Sequence, residues 1–179
     1  MPRYAAFLRG INVSNRRASK QQLCSAFESA GLEDVDTFRA SGNVVFTAGR
    51  EAVAKLTARI EAAVEETLGY PSAPFLRSEK EMRAIAAHRP FSDKLVAASK
   101  GKLQVHLLGK RPTAKAQEEV LALATDDDPL AFGDRELYWL PSGGQLESEL
   151  DWKTIEKLLG VGTRRTKGTM DLIAAKWFD

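Results

Sequence analysis

Residues 35–47, VDTFRASGNVVFT, hold two β-rich runs on either side of Ser41-Gly42-Asn43. Gly and Asn between short β-branched and aromatic segments predict a hairpin, with strands over 35–40 and 44–47. Upstream, Tyr4 to Arg9 has the composition of a strand. Lys20 to Ala30 predicts a helix, because Leu23, Phe27 and Ala30 recur at helical spacing behind a Ser19-x-x-Gln22 capping box. Downstream, Val53, Leu56, Ile60, Val64 and Leu68 place one apolar stripe on a long helix that Gly69 stops, and Ala73 to Arg77 supplies a fourth strand. The order β-α-β-β-α-β is the split arrangement in which two right-handed crossovers interleave and both helices cover one face of an antiparallel sheet, a ferredoxin-like half.

The same order is expected again further on. Ser78-x-x-Glu81 caps a helix carrying Met82 and Ile85, Pro90 closes it, and residues 92–101 read as a connection. Leu103, Val105 and Leu107 alternate as a strand, and Lys115 to Ala124 predicts a helix. Pro129 to Phe132 with Glu136 to Leu140 forms a second hairpin around Gly133-Asp134. Trp152, Ile155 and Leu159 mark another helix, Val161 to Arg165 a last strand, and Thr169 to Phe178 a closing helix whose Trp177 and Phe178 dock the terminus. The expected fold is therefore α+β: two ferredoxin-like βαββαβ halves, antiparallel sheets with helices on one face, plus a C-terminal helix. Residues 1–77 form the first half, 78–101 a helix and connection, and 102–179 the second half. No residue-level repeat relates the halves, so the duplication is one of topology.

Composition narrows the function classes. The 179 residues are 44% hydrophobic and 28% charged with a net charge of +2, so any polyanion would be held by a local patch rather than by overall charge. No apolar run reaches the roughly 18 residues of a membrane span, and the N-terminus lacks a secretory pattern, which makes the cytoplasm the expected compartment. The lone Cys24 forms no internal disulfide and, lying beside Leu23 and Phe27 on an apolar face, reads as inert packing. With two histidines and one cysteine, no metal site has spacing in its favour, and no cofactor motif is present. His106 is expected on the polar side of its strand, and His88 at a helix end. Asp126-Asp127-Asp128 lacks the ligand spacing of a calcium loop and reads as a solvated turn, and Gly143-Gly144 as a flexible joint.

The candidate site comes from topology. In the split arrangement the first strand ends at the level where the second turns into the third, so Arg9, Gly10 and Asn12 should meet Ser41, Gly42 and Asn43 beside the helix that Ser19 caps. A helix N-terminus offers free amides and partial positive charge. Arg16, Arg17 and Lys20 add formal charge, and no acid occurs from residue 1 until Glu28. Gly10 and Gly42 permit positive φ, while Asn12 and Asn43 bring donors and acceptors. By alternation Arg9 should stand at the edge of an apolar face and want a partner. The rim is a candidate seat for a phosphate- or carboxylate-bearing ligand; the competing reading makes Gly42-Asn43 hairpin chemistry, Ser19 a cap and Arg16-Arg17 a solvated loop. A second basic cluster, with Arg164, Arg165 and Lys167, either completes the rim or is an exposed turn.

The stretches RYAAFLRGINVSNRR and FESAGLEDVDTFRASGNVVF resemble the opening of the bacterial domain of unknown function 1697 family, in which an L-R-G-I-N-V segment is followed by a helix and an S-G-N-V-V-F segment. The likeness extends through DRELYW and EKLLGV to TRRTKGTM. It implies an α+β fold of ferredoxin-like character and no established activity. Arg9, Gly10, Asn12, Ser41, Gly42 and Asn43 match the family's signature. The chain departs where many members carry T-R-N-W-N-T-V, reading Thr163-Arg164-Arg165-Thr166-Lys167-Gly168-Thr169-Met170, and where S-K-L is Ser148-Glu149-Leu150. Those positions either touch a ligand or are structural, with Thr169 capping the last helix.

Three function classes follow. The first is a protein binding a small anionic ligand at the rim, with Arg9 and Asn43 stabilising the anion if a reaction occurs. Behind it stands a nucleic-acid module, since the strands lack the aromatic signature that stacks bases. The third is a protein-interaction scaffold using an open sheet face or edge.

Overall fold

A computed structural model describes residues 1–179. The chain divides into two compact units, Met1–Arg83 with Trp177–Asp179, and Ala84–Lys176. In the first, β1 (Arg3–Leu8), α1 (Lys20–Ser29), β2 (Glu33–Thr37), β3 (Asn43–Thr47), α2 (Val53–Leu68) and β4 (Pro74–Ser78) follow the expected order. The sheet runs β2-β3-β1-β4 with every pair antiparallel, so β1 and β2 are parallel with β3 between them. This is the ferredoxin-like arrangement. The local signals act as expected. Ser19 accepts from the Gln22 amide while the Gln22 side chain accepts from the Ser19 amide, and Gly69 ends α2 in the left-handed region at φ +81°. Leu23, Phe27, Leu56, Ile60 and Val64 pack with Ala6, Leu8, Val44, Phe46 and Leu76 in one core.

After α3 (Glu79–Ala87), the connecting stretch contains a short helix α4 (Asp93–Ala98), capped by Ser92. The second sheet comprises β5 (Gln104–Leu108), β6 (Leu130–Phe132), β7 (Glu136–Trp139) and β8 (Gly162–Thr166), ordered β6-β7-β5-β8, with α5 (Ala114–Leu121), α6 (Trp152–Leu159) and closing helix α7 (Lys167–Trp177). The strand order repeats the first sheet position for position.

Register also exposes a residue-level echo that spacing alone conceals. Ala5 of β1 pairs with Arg77 of β4, and Val105 of β5 pairs with Arg165 of β8. Each arginine is followed by a hydroxyl residue that caps the next helix and, five positions after the arginine, by a buried methionine, Met82 or Met170. Glu81 N donates to Ser78 Oγ at 3.3 Å, and Thr169 N to Thr166 Oγ1 at 3.1 Å. The cap of α7 is thus Thr166, not Thr169.

Two further expectations are corrected. All residues of β5 are buried, so His106 does not face solvent; its ring lies 5.2 Å from that of Trp152. Asp128 is not in a solvated turn but is 5% exposed, and its Oδ1 accepts from the Trp139 indole at 2.8 Å and from the Ser148 hydroxyl at 2.7 Å.

Candidate functional site

The expected rim forms at one end of the first sheet. Phe7 pairs with Asn43 and Thr37 with Val44, which sets the end of β1 beside the β2–β3 turn. The Leu8 amide donates to the Gly42 carbonyl at 2.8 Å. Gly42 sits at φ +74°, where a Cβ would lie 3.0 Å from Ile11 Cγ1 and 3.1 Å from Leu8 Cβ. Glycine is required there by conformation and by close approach together.

The asparagines shape these loops. Asn12, at φ +58°, donates through Nδ2 to the Ala40 carbonyl and accepts at Oδ1 from the Ala18 amide at 3.0 Å. One side chain therefore ties the 9–18 loop to the 38–42 turn. Asn43 is 1% exposed and donates to the Phe38 carbonyl at 2.8 Å, while its own carbonyl accepts from the Phe38 amide at 3.0 Å. Short polar side chains tolerate the left-handed region and replace backbone partners, which explains their use here.

Cationic groups decorate the frame. Arg9, Arg16, Arg17, Lys20 and Arg39 are exposed. Because β1 ends at Leu8, Arg9 leaves the sheet for solvent instead of standing on its apolar face; its carbonyl accepts from the Ser72 hydroxyl at 2.6 Å. The Arg16 guanidinium lies 5.5 Å from the centre of the Tyr70 ring, whose hydroxyl donates to the Arg17 carbonyl at 3.1 Å. Burial pushes the Tyr70 phenol up, and Arg16 opposes the shift. Arg39 lies over Phe38 at 5.0 Å, and Phe38 meets Trp177 edge to face. Lys20 pairs with Asp36 at 2.7 Å, and the hydrogen bond to that carboxylate raises the ammonium above its ordinary value.

Between α1 and the turn lies a cavity of about 340 Å³ lined by Ser19, Lys20, Leu23, Thr37, Arg39 and Ala40, with Ala18 at its edge. Two of its lining groups are cationic and none is acidic. The capping box engages the Gln22 amide, leaving the amides of Lys20 and Gln21 at the open end of the helix ladder. Thr37 and Arg39 complete the lining, and no motif spacing singles them out. The hairpin register is the signal that would have found them, since it sets Thr37 and Arg39 at the mouth of the turn. Cys24, half-buried on α1, has its thiol pushed up by burial, which agrees with an inert role.

Arg165 and Lys167 belong to the second unit, where both make internal contacts. Arg165 Nη1 donates to Thr163 Oγ1 at 2.9 Å and to the Arg164 carbonyl at 2.8 Å. Lys167 Nζ meets Asp171 Oδ1 at 2.5 Å and the Ala86 carbonyl at 3.1 Å. Their neighbour Arg164 lies 3.9 Å from the Trp152 ring centre and 4.8 Å from that of Trp139. Burial draws the guanidinium groups of Arg164 and Arg165 down to about 10.

A family model described as "Protein of unknown function (DUF1697)" matches residues 1–138, a span that holds every loop of this rim. The chain belongs to this family. Over its whole length, the DUF1697 chain is also similar in fold to a solved structure, the conserved bacterial protein SP0830 from Streptococcus pneumoniae. The two are 23% identical with a TM-score of 0.73, over 98% of this chain and 97% of that one. At that identity the likeness concerns the fold, and it covers both ferredoxin-like units of the DUF1697 chain. No curated protein matches the sequence.

Proposed function

We propose that this DUF1697 chain binds a small anionic ligand, bearing phosphate or carboxylate, in the cavity at the start of α1. The observation that carries the reading is the lining itself: Lys20, Arg39 and the hydroxyl residues Ser19 and Thr37 surround about 340 Å³ with no carboxylate among them. Arg9, Arg16 and Arg17 raise the surrounding potential, while Gly10, Gly42, Asn12, Ser41 and Asn43 belong to the loops that hold the wall in shape. The ligand's negative charge would face the Lys20 and Gln21 amides, where the helix dipole favours an anion. Arg165 and Lys167 are not among the residues that line this cavity.

An open sheet face, on which an RNA-binding or scaffold role would rest, has little support. β3, β5 and β7 are buried along their whole length, as are most residues of β1 and β4, so neither sheet offers a broad platform for stacked bases.

The test is a titration with inorganic phosphate, pyrophosphate and citrate, followed by amide chemical shifts of residues 18–22 and 37–42. At least one anion should shift these amides saturably. The Arg39→Ala, Lys20→Ala double variant should weaken binding more than tenfold, given about 1.5–3 kcal/mol for each charge-assisted hydrogen bond. Absence of saturable shifts with all three anions, or unchanged affinity in the double variant, refutes the proposal.

A further inference from the structure

The cavity at the start of α1 is lined by two kinds of residue. Ser19, Lys20, Thr37 and Arg39 are polar, while Ala18, Leu23 and Ala40 are apolar. Leu23 lies one helical turn along α1 from the cap, its amide donating to the Ser19 carbonyl at 3.1 Å.

The apolar part is preformed. Leu23 is 2% exposed and Ala18 8%, and both belong to the core of the first unit. Asn12 holds the two alanines from a single side chain, donating through Nδ2 to the Ala40 carbonyl and accepting at Oδ1 from the Ala18 amide at 3.0 Å. A surface fixed in this way does not close up when empty, and a methylene group against it is favoured over water.

Size and charge point the same way. A volume of about 340 Å³ is the share of roughly ten water molecules, and an inorganic anion displaces only part of it. Lys20 is already paired with Asp36 at 2.7 Å and its side chain is 67% exposed, while Asp36 Oδ1 also accepts from the Thr37 amide at 2.8 Å. An exposed ammonium matched by a carboxylate attracts a second anion only weakly through water. Retention of an anion therefore needs a further contribution, and the apolar lining supplies one. No aromatic side chain is part of that lining, which favours an alkyl over an aryl body.

We propose that the ligand is an organic anion with a short, unbranched aliphatic body, its head at Lys20, Thr37 and Arg39 and its methylene groups against Ala18, Leu23 and Ala40. The inference rests on the anion reading of this cavity and adds the class of molecule to it.

The test compares two pairs of anions on the full chain at fixed ionic strength: butyl phosphate with inorganic phosphate, and pentanoate with acetate. Binding is followed by the amide shifts of residues 18–22 and 37–42 and by the methyl shifts of Ala18, Leu23 and Ala40. Each buried methylene tightens binding about fourfold. The longer member of at least one pair should therefore bind at least tenfold more tightly, with saturable methyl shifts and contacts from its chain to the Leu23 methyls in nuclear Overhauser spectra. Butylammonium chloride, with a similar body and the opposite charge, should not bind. Equal binding of butylammonium, or no gain of either longer anion over its shorter partner, overturns the proposal. In the second case the anion reading survives if inorganic phosphate, pyrophosphate or citrate still shifts the amides, and falls if none does.

Discussion

Replacing Gly42 with alanine perturbs the rim at the point where its loops meet. Two costs are separable. Holding alanine at φ +74° costs about 1–2 kcal/mol, as for any non-glycine residue in the left-handed region. The added Cβ would also lie 3.0–3.1 Å from three atoms of Ile11 and Leu8, both buried and unable to swing away. Overpacking of that kind costs about 1–3 kcal/mol more. Gly69→Ala is the internal control, because its φ is +81° and no atom lies within 4 Å of the new Cβ, so only the conformational cost applies. Urea unfolding followed by circular dichroism should therefore place Gly42→Ala about 1–3 kcal/mol below Gly69→Ala. Amide exchange supplies a local readout, since the Leu8 amide donates to the Gly42 carbonyl and should exchange faster in Gly42→Ala than in Gly69→Ala. Equal destabilisation by the two substitutions, with equal Leu8 exchange, would refute the close-approach argument.

Two other outcomes are expected. Asn12→Gly keeps the φ of +58° without strain but removes both side-chain hydrogen bonds, so the Ala18 amide should exchange about tenfold faster, equivalent to roughly 1.4 kcal/mol; exchange at the native rate would show that Asn12 does not tie the two loops. His88 lies against Tyr138 with its ring pKa lowered, first by burial and then by Lys167. Its folded value lies below its unfolded value, so the unfolded state binds the proton more readily and stability falls as pH drops through and below the ordinary histidine range. His88→Gln should flatten the stability profile across that window, measured by urea midpoints from pH 7.5 to 5; an unaltered slope would assign the dependence to other groups.

The sequence carries the elements of this fold because their signals act over a few residues. The Ser19–Gln22 box, the left-handed stop at Gly69 and the Ser41–Asn43 turn each depend on neighbours within one helical turn or one hairpin. Their order then leaves few right-handed topologies, which is why both sheets were legible. The meeting of the LRGIN and SGN loops follows from the same topology.

What Asn12 and Asn43 do there did not follow. Both were candidates for ligand contact, and both hold backbone groups of the rim, because partners of an amide side chain are chosen by register and loop path rather than by residue type. His106 and Asp128 show the same boundary in the second unit. Alternation assigns a side chain to one face of a strand but says nothing of whether that face meets water, and Asp128 is buried by Trp139 and by Ser148, twenty positions away in the chain. Sequence by itself determined the helices, strands and their connection into two ferredoxin-like units; only tertiary structure decided which polar groups were shielded and which cavities they line, because burial depends on residues remote in sequence.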